Sequence, residues 1–99
     1  MDRDVRSILE DTSLLAIKLL VVTEDPEIRI SRQDFMFIYN LILRRIDTTI
    51  KRCHESDREL VVKLKADIEA KFEEASDVII VYSEEILRSI SELIDALLT

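Results

Sequence analysis

Phe35-Met36-Phe37-Ile38-Tyr39-Asn40-Leu41-Ile42-Leu43 decides how this chain folds. Eight of its nine residues are apolar or aromatic, and three of the five aromatics of the chain lie in it. As a helix the stretch makes about 2.5 turns, so apolar side chains leave it in nearly every direction. A helix on a domain surface needs one apolar stripe, whereas one that is apolar all round needs protein on all sides. The segment is therefore expected to be the central post of the fold.

Working outward, Ser31 can cap the helix that contains this stretch. Asp34 lies three residues later, where an acid can reach back, and Ile30 can staple onto Phe35. The helix is expected over 32–53. In its second half the apolar face narrows to Ile46, Thr49, Ile50 and Cys53, while Arg44, Arg45, Lys51 and Arg52 turn outward.

Upstream, a helix over 4–22 follows from Val5, Ile8, Leu9, Thr12, Leu15, Ala16 and Leu19 at three- and four-residue spacing. Leu14, Ile17 and Val21 are expected to widen its buried face. Pro26 disfavours helix at Asp25 and so ends it. Glu27-Ile28-Arg29-Ile30 alternates charged and apolar residues and reads as a short extended strap over 27–30.

Downstream, Ser56 and Glu59 have the spacing of a capping box, which places a third helix over 57–75. A helix running on through 54–57 competes with that break, because neither Gly nor Pro enforces one. Leu60, Val61, Leu64, Ile68 and Phe72 form the buried stripe. The fourth helix is expected over 78–98, on Ile79, Tyr82, Ile86, Ile90, Leu93 and Leu97, with a short strand at 78–82 as the alternative.

The totals agree with this. Ninety-nine residues make one domain, and no glycine is present to build hairpins or phosphate-cradling loops. The fold class is all-α, a four-helix, bundle-like single domain. The apolar windows 35–43 and 78–82 exceed what four such helices bury by themselves. A two-fold homodimer removes the surplus from water, with Phe35, Phe37, Ile38, Leu41, Ile79 and Tyr82 in the self-association surface. A monomer with unusually complete internal burial is the competing state.

Charge narrows the function. The net charge of −7 argues against broad binding to nucleic acid or to anionic membranes. Yet residues 32–54 hold five Arg and Lys against two Asp, and every other segment is negative. Arg44 with Lys51, and Arg45 with Arg52, line up seven residues apart as a ridge that could hold phosphates. Against this, Asp47 sits within the ridge, and a basic helix end also complements the dipole and acidic neighbours. Nucleic-acid binding is thus the alternative function.

Catalytic and metal chemistry find little support. His54 is the single histidine and Lys51 occupies the place three before it, so no Glu-x-x-His motif exists. Cys53 and His54 are adjacent and would project about 100° apart on a helix. No catalytic residue, metal ligand or cofactor is assigned, and one cysteine makes no internal disulfide. Leu14 to Val22 is too short and too interrupted by Lys18 to span a membrane. The acidic polar face of the last helix, with Glu84, Glu85, Glu92 and Asp95, disfavours a membrane-surface role. The acids of Met1-Asp2-Arg3-Asp4 are unlike a basic signal-peptide start, so a cytoplasmic protein is expected.

Asn40 and Gln33 are the only side-chain amides, and charges are dense, a composition suited to heat. From MDRDVRSILEDTSLLAIKLLVV (1–22) to ILRSISELIDALLT (86–99), the chain resembles a small all-helical protein of archaeal filamentous viruses. The resemblance implies a heat-adapted viral protein of the host cytoplasm or the virion, with no assigned biochemical role. The function expected is a non-enzymatic interaction or assembly protein, partnered by a second copy or by another protein.

Overall fold

The computed structural model describes the backbone of residues 1–25, 27, 31–74 and 79–99, and their side chains except those of 79–83. Four helices follow one another: α1 (Arg3–Glu24), α2 (Arg32–Arg52), α3 (Glu55–Glu74) and α4 (Ile79–Leu98). Among the described residues there is no strand, so the chain is an all-α, four-helix domain. Helix extends over 79–82, against the strand alternative, while Val78 lies outside the described residues. The strap expected at 27–30 also lies outside them apart from Glu27, whose backbone N–H donates to the Asp25 carboxylate at 2.9 Å.

The caps explain where the helices start. Asp2 caps α1, accepting from the Asp4 N–H at 3.3 Å, and Asp4 adds an acid to the first turn. Ser31 caps α2 as its spacing predicts, accepting from the Asp34 N–H at 3.1 Å. The third boundary differs from the sequence expectation. Cys53 is extended, at φ −64° and ψ 144°, so α2 and α3 are separate helices without Gly or Pro between them. α3 begins at Glu55, and the His54 carbonyl accepts from the N–H groups of Asp57 and Arg58 at 3.0 and 3.1 Å. Ser56 therefore lies inside the first turn and is no cap. The Arg58 guanidinium donates to the Cys53 carbonyl at 3.3 Å, which satisfies the end of α2 from the start of α3.

The helices run up, down, up and down around a square. Ser13 bonds to Ser91 and Asp95, while Glu24 lies beside Arg88 and Arg88 beside Glu84, so α1 and α4 are antiparallel. Asp2 lies beside His54, which sets α2 antiparallel to α1, and Tyr39 stacks on Phe72, which does the same for α3 and α2. α2 and α4 meet only weakly across the diagonal, and the most extensive pairing is α1 with α4. This corrects the view of α2 as central post: it is one corner of the square. The physical reason is that α2 packs on one side only: Phe35, Tyr39, Ile42 and Ile46 are dry, while Phe37 on the opposite side is exposed.

Burial follows the predicted stripes with three exceptions. Val5, Leu9, Thr12 and Ala16 on α1 are buried, but Leu14, Ile17 and Val21, expected to widen that face, are exposed. Leu14 and Val21 point away from the Val5–Leu9–Ala16 stripe at 100° per residue, and no helix lies on that side. Leu60 on α3 is also exposed, although Val61, Leu64 and Ile68 are buried as expected. Third, Phe37, in the middle of the supposed post, is 70% exposed.

Candidate interaction surfaces

Of the six residues assigned to self-association, the four whose side chains are described separate in the fold. Phe35 is 1% exposed and belongs to the core, stacked in an aromatic set with Tyr39 and Phe72, so it is unavailable to a second copy. Tyr39 and Phe72 lie 4.2 Å apart between ring centroids and 16° from parallel. Ile38 and Leu41 are half-buried, and Phe37 is turned outward. The side chains of Ile79 and Tyr82 lie outside the described residues.

Residues that the sequence assigned to the core of α1 join Phe37 on the outside. Val22 is half a turn of phase from Ser13, which faces α4, so it lies on the flank of α1 next to α2. Counting along the antiparallel pair from Asp2 beside His54 brings Val21 and Val22 level with the first turns of α2. Phe37 points away from the α3-facing Tyr39. Leu14, Val21 and Val22 thus make an exposed apolar strip on the outer side of α1, with Phe37 exposed on the outer side of α2, whereas Ile17, one turn from Ser13, lies toward α4. Lys18 on α1 and Asp34 on α2 are exposed, and neither has an ion-pair partner within 4 Å among the described residues.

Below that strip, on the C-terminal half of α2, stands the basic ridge. Arg44, Lys51 and Arg52 are exposed and Arg45 is half-buried. Asp47, the acid within it, accepts from Lys65 of α3 at 2.8 Å. That bond holds the Lys65 ammonium above the usual lysine range, against the smaller opposing effect of desolvation.

Cys53 and His54 do not form a catalytic pair. The thiol is buried and its pKa is raised, first by desolvation and then by Asp57. The imidazole stands in solvent, with Nε2 3.8 Å from Asp2. Between α3 and α4 lies an open groove of about 250 Å³ lined by Leu60, Leu64, Leu93 and Leu97, with Lys63 and Asp67 paired at its edge at 3.0 Å. Among the described residues no His, Cys, Asp or Glu cluster has the makings of a metal site, and no helix is long and apolar enough to cross a membrane.

One polar arrangement escaped the sequence reading. Ser13 on α1 and Ser91 on α4 are both buried, with their hydroxyls 3.1 Å apart, and Ser13 donates to Asp95 at 2.8 Å. Because Ser13 gives its one proton to the carboxylate, Ser91 must donate to Ser13. The signal was faint: two serines on the apolar faces of different helices, which only their pairing explains. No protein-family model matches the chain, and neither a curated protein nor a solved structure is significantly similar to it.

Proposed function

We propose that the protein is a non-enzymatic assembly protein that acts as a homodimer through the outer apolar surface of α1 and α2. The observation that supports this reading is Phe37, which leaves an aromatic ring 70% exposed on the most apolar stretch of the chain. Covering such a ring removes roughly 120 Å² of apolar surface from water, worth about 3 kcal/mol per copy before the costs of association. Leu14, Val21 and Val22 add exposed apolar surface on the outer side of α1.

A second copy suits this surface because it carries both signs of charge: Lys18 stands one turn from Leu14 and Val22 on α1 and Asp34 is exposed on α2, so a two-fold pairing that sets them against one another joins opposite charges. The rest of the reading follows composition and resemblance: a heat-adapted protein, similar to small helical proteins of archaeal filamentous viruses, at work in the host cytoplasm or the virion.

Sedimentation velocity tests the assembly. The unaltered chain is expected at twice its 11.6 kDa mass at tens of micromolar, and Val21→Ser with Phe37→Ser at the single-chain mass with unchanged helicity. A single-chain mass for the unaltered protein at 100 µM (on the order of ten times a weak dimer constant), or a dimer untouched by the two serines, overturns the proposal.

A further inference from the structure

We propose that the outer face of the C-terminal half of α2 is a binding site for the phosphodiester backbone of nucleic acid, held by Arg44, Arg45, Lys51 and Arg52. Among the described residues, eight of thirteen Lys and Arg have no carboxylate within 4 Å, and four of those eight fall between positions 44 and 52. On α3, Lys63, Lys65 and Lys71 each have a carboxylate within 4 Å, as do Arg6 on α1 and Arg88 on α4. None of the four ridge cations has such a partner among the described residues, and the four stand together on one helix.

Tertiary structure removes the objection the sequence raised. Asp47 lies one turn from both Arg44 and Lys51 and would neutralise either, but its carboxylate is taken by Lys65 at 2.8 Å. The basic face is left to meet anions from outside. Three of its four cations are arginines, whose planar fork matches a phosphate.

Each seven-residue pair is about 10.5 Å apart along the axis, so the four cations stand as two rows along the helix. No aromatic lies between residues 44 and 52 to stack a base, so the contacts are to backbone and carry no sequence preference. With a net charge of −7 the remaining surface repels the same ligand, which confines binding to this face and makes it sensitive to salt.

Fluorescence anisotropy with a labelled mixed-sequence duplex, and with one of its strands alone, tests the site. Four phosphate contacts predict a slope of log affinity on log salt of about −3.6 for the duplex, a loss of about 150-fold between 50 and 200 mM. A single strand is expected to give a shallower slope, about −2.8, and the two affinities at one salt concentration identify which form is held more tightly. Arg44→Glu with Arg52→Glu is expected to abolish binding. Lys63→Glu with Lys71→Glu, which makes the same change in net charge on α3, is expected to retain most of it. Circular dichroism confirms that both variants are folded. Absence of binding to either probe at 50 mM salt, or equal losses in the two variants, overturns the proposal. So does a drop in assembly mass on reversing the ridge without any nucleic-acid binding, which would assign these cations to acidic surface of a second copy.

Discussion

The Ser13 hydroxyl donates to the Asp95 carboxylate at 2.8 Å across the α1–α4 seam, joining residues 82 apart in the chain. Ser91 completes the bridge at 3.1 Å, and the two serine side chains are almost dry. A one-turn slip of α4 along α1 would leave these hydroxyls unpaired in an apolar seam, so the bridge fixes the register of the most extensive helix pair. Ser13→Ala is expected to cost about 1–2 kcal/mol in urea unfolding, because Ser91 then loses its acceptor. Ser13→Ala with Ser91→Ala should cost less than the sum of the two single changes, since both members of the pair are then apolar.

Phe35 and Phe37 are two residues apart and oppositely placed, at 1% and 70% exposure. Phe35→Ala opens a cavity beside Tyr39 and Phe72 and is expected to destabilise the fold by about 3–5 kcal/mol. Phe37→Ala should change the stability of a single chain by less than about 0.5 kcal/mol. Denaturation at concentrations low enough to suppress association measures both values without interference from assembly.

Tyr39 makes the fold sensitive to alkali. Burial, reinforced by Glu69 and Glu73, pushes its phenol up to about 12. The unfolded chain therefore loses this proton first, and stability that is complete below about pH 10 falls as pH rises toward 12. Cys53 and Lys65 are also raised, so their contributions fall in the same direction at high pH. Tyr39→Phe is expected to flatten the pH 10–12 part of the profile by about 2 kcal/mol while keeping the ring stack on Phe72. Urea melts from pH 8 to 12 provide the comparison.

Asp47 and Lys65 form a partly exposed pair, whose loss should cost only about 0.2–1 kcal/mol. Asp47→Asn also removes the one acid from the basic ridge and frees Lys65. It is expected to tighten duplex binding several-fold at 50 mM salt and to steepen its salt dependence, as anisotropy will report.

Composition leads us to expect heat resistance, with no glycine, one asparagine, one glutamine and dense charge. Calorimetry is expected to place the melting temperature above about 80 °C, well beyond the ~45–65 °C range of mesophilic domains. A reversible transition within that lower range would contradict the expectation.

Much of this architecture was legible in the sequence because its signals are local. Ser31 three residues before Asp34 is a cap wherever the helix later packs, and the four-residue spacing of Ile86 and Ile90 marks a dry face before any neighbour is placed. The ridge was equally readable, since residues seven apart on α2 align on any straight helix. The start of α3 was harder to locate: Ser56 offered a capping pattern that placed it at 57, yet the helix begins at Glu55.

By itself, the sequence determined four helices and, Leu60 apart, the inward stripe of α3, consequences of backbone preference and helical periodicity. Only the tertiary structure decided which sides of α1 and α2 stay wet. A helix with apolar residues all round has no inward direction until its neighbours arrive, and here they came on the side of Phe35 and Tyr39, leaving Phe37, Leu14 and Val21 outside. The same packing paired Asp47 with Lys65 and Ser13 with Asp95, contacts between helices that no spacing along one chain segment encodes.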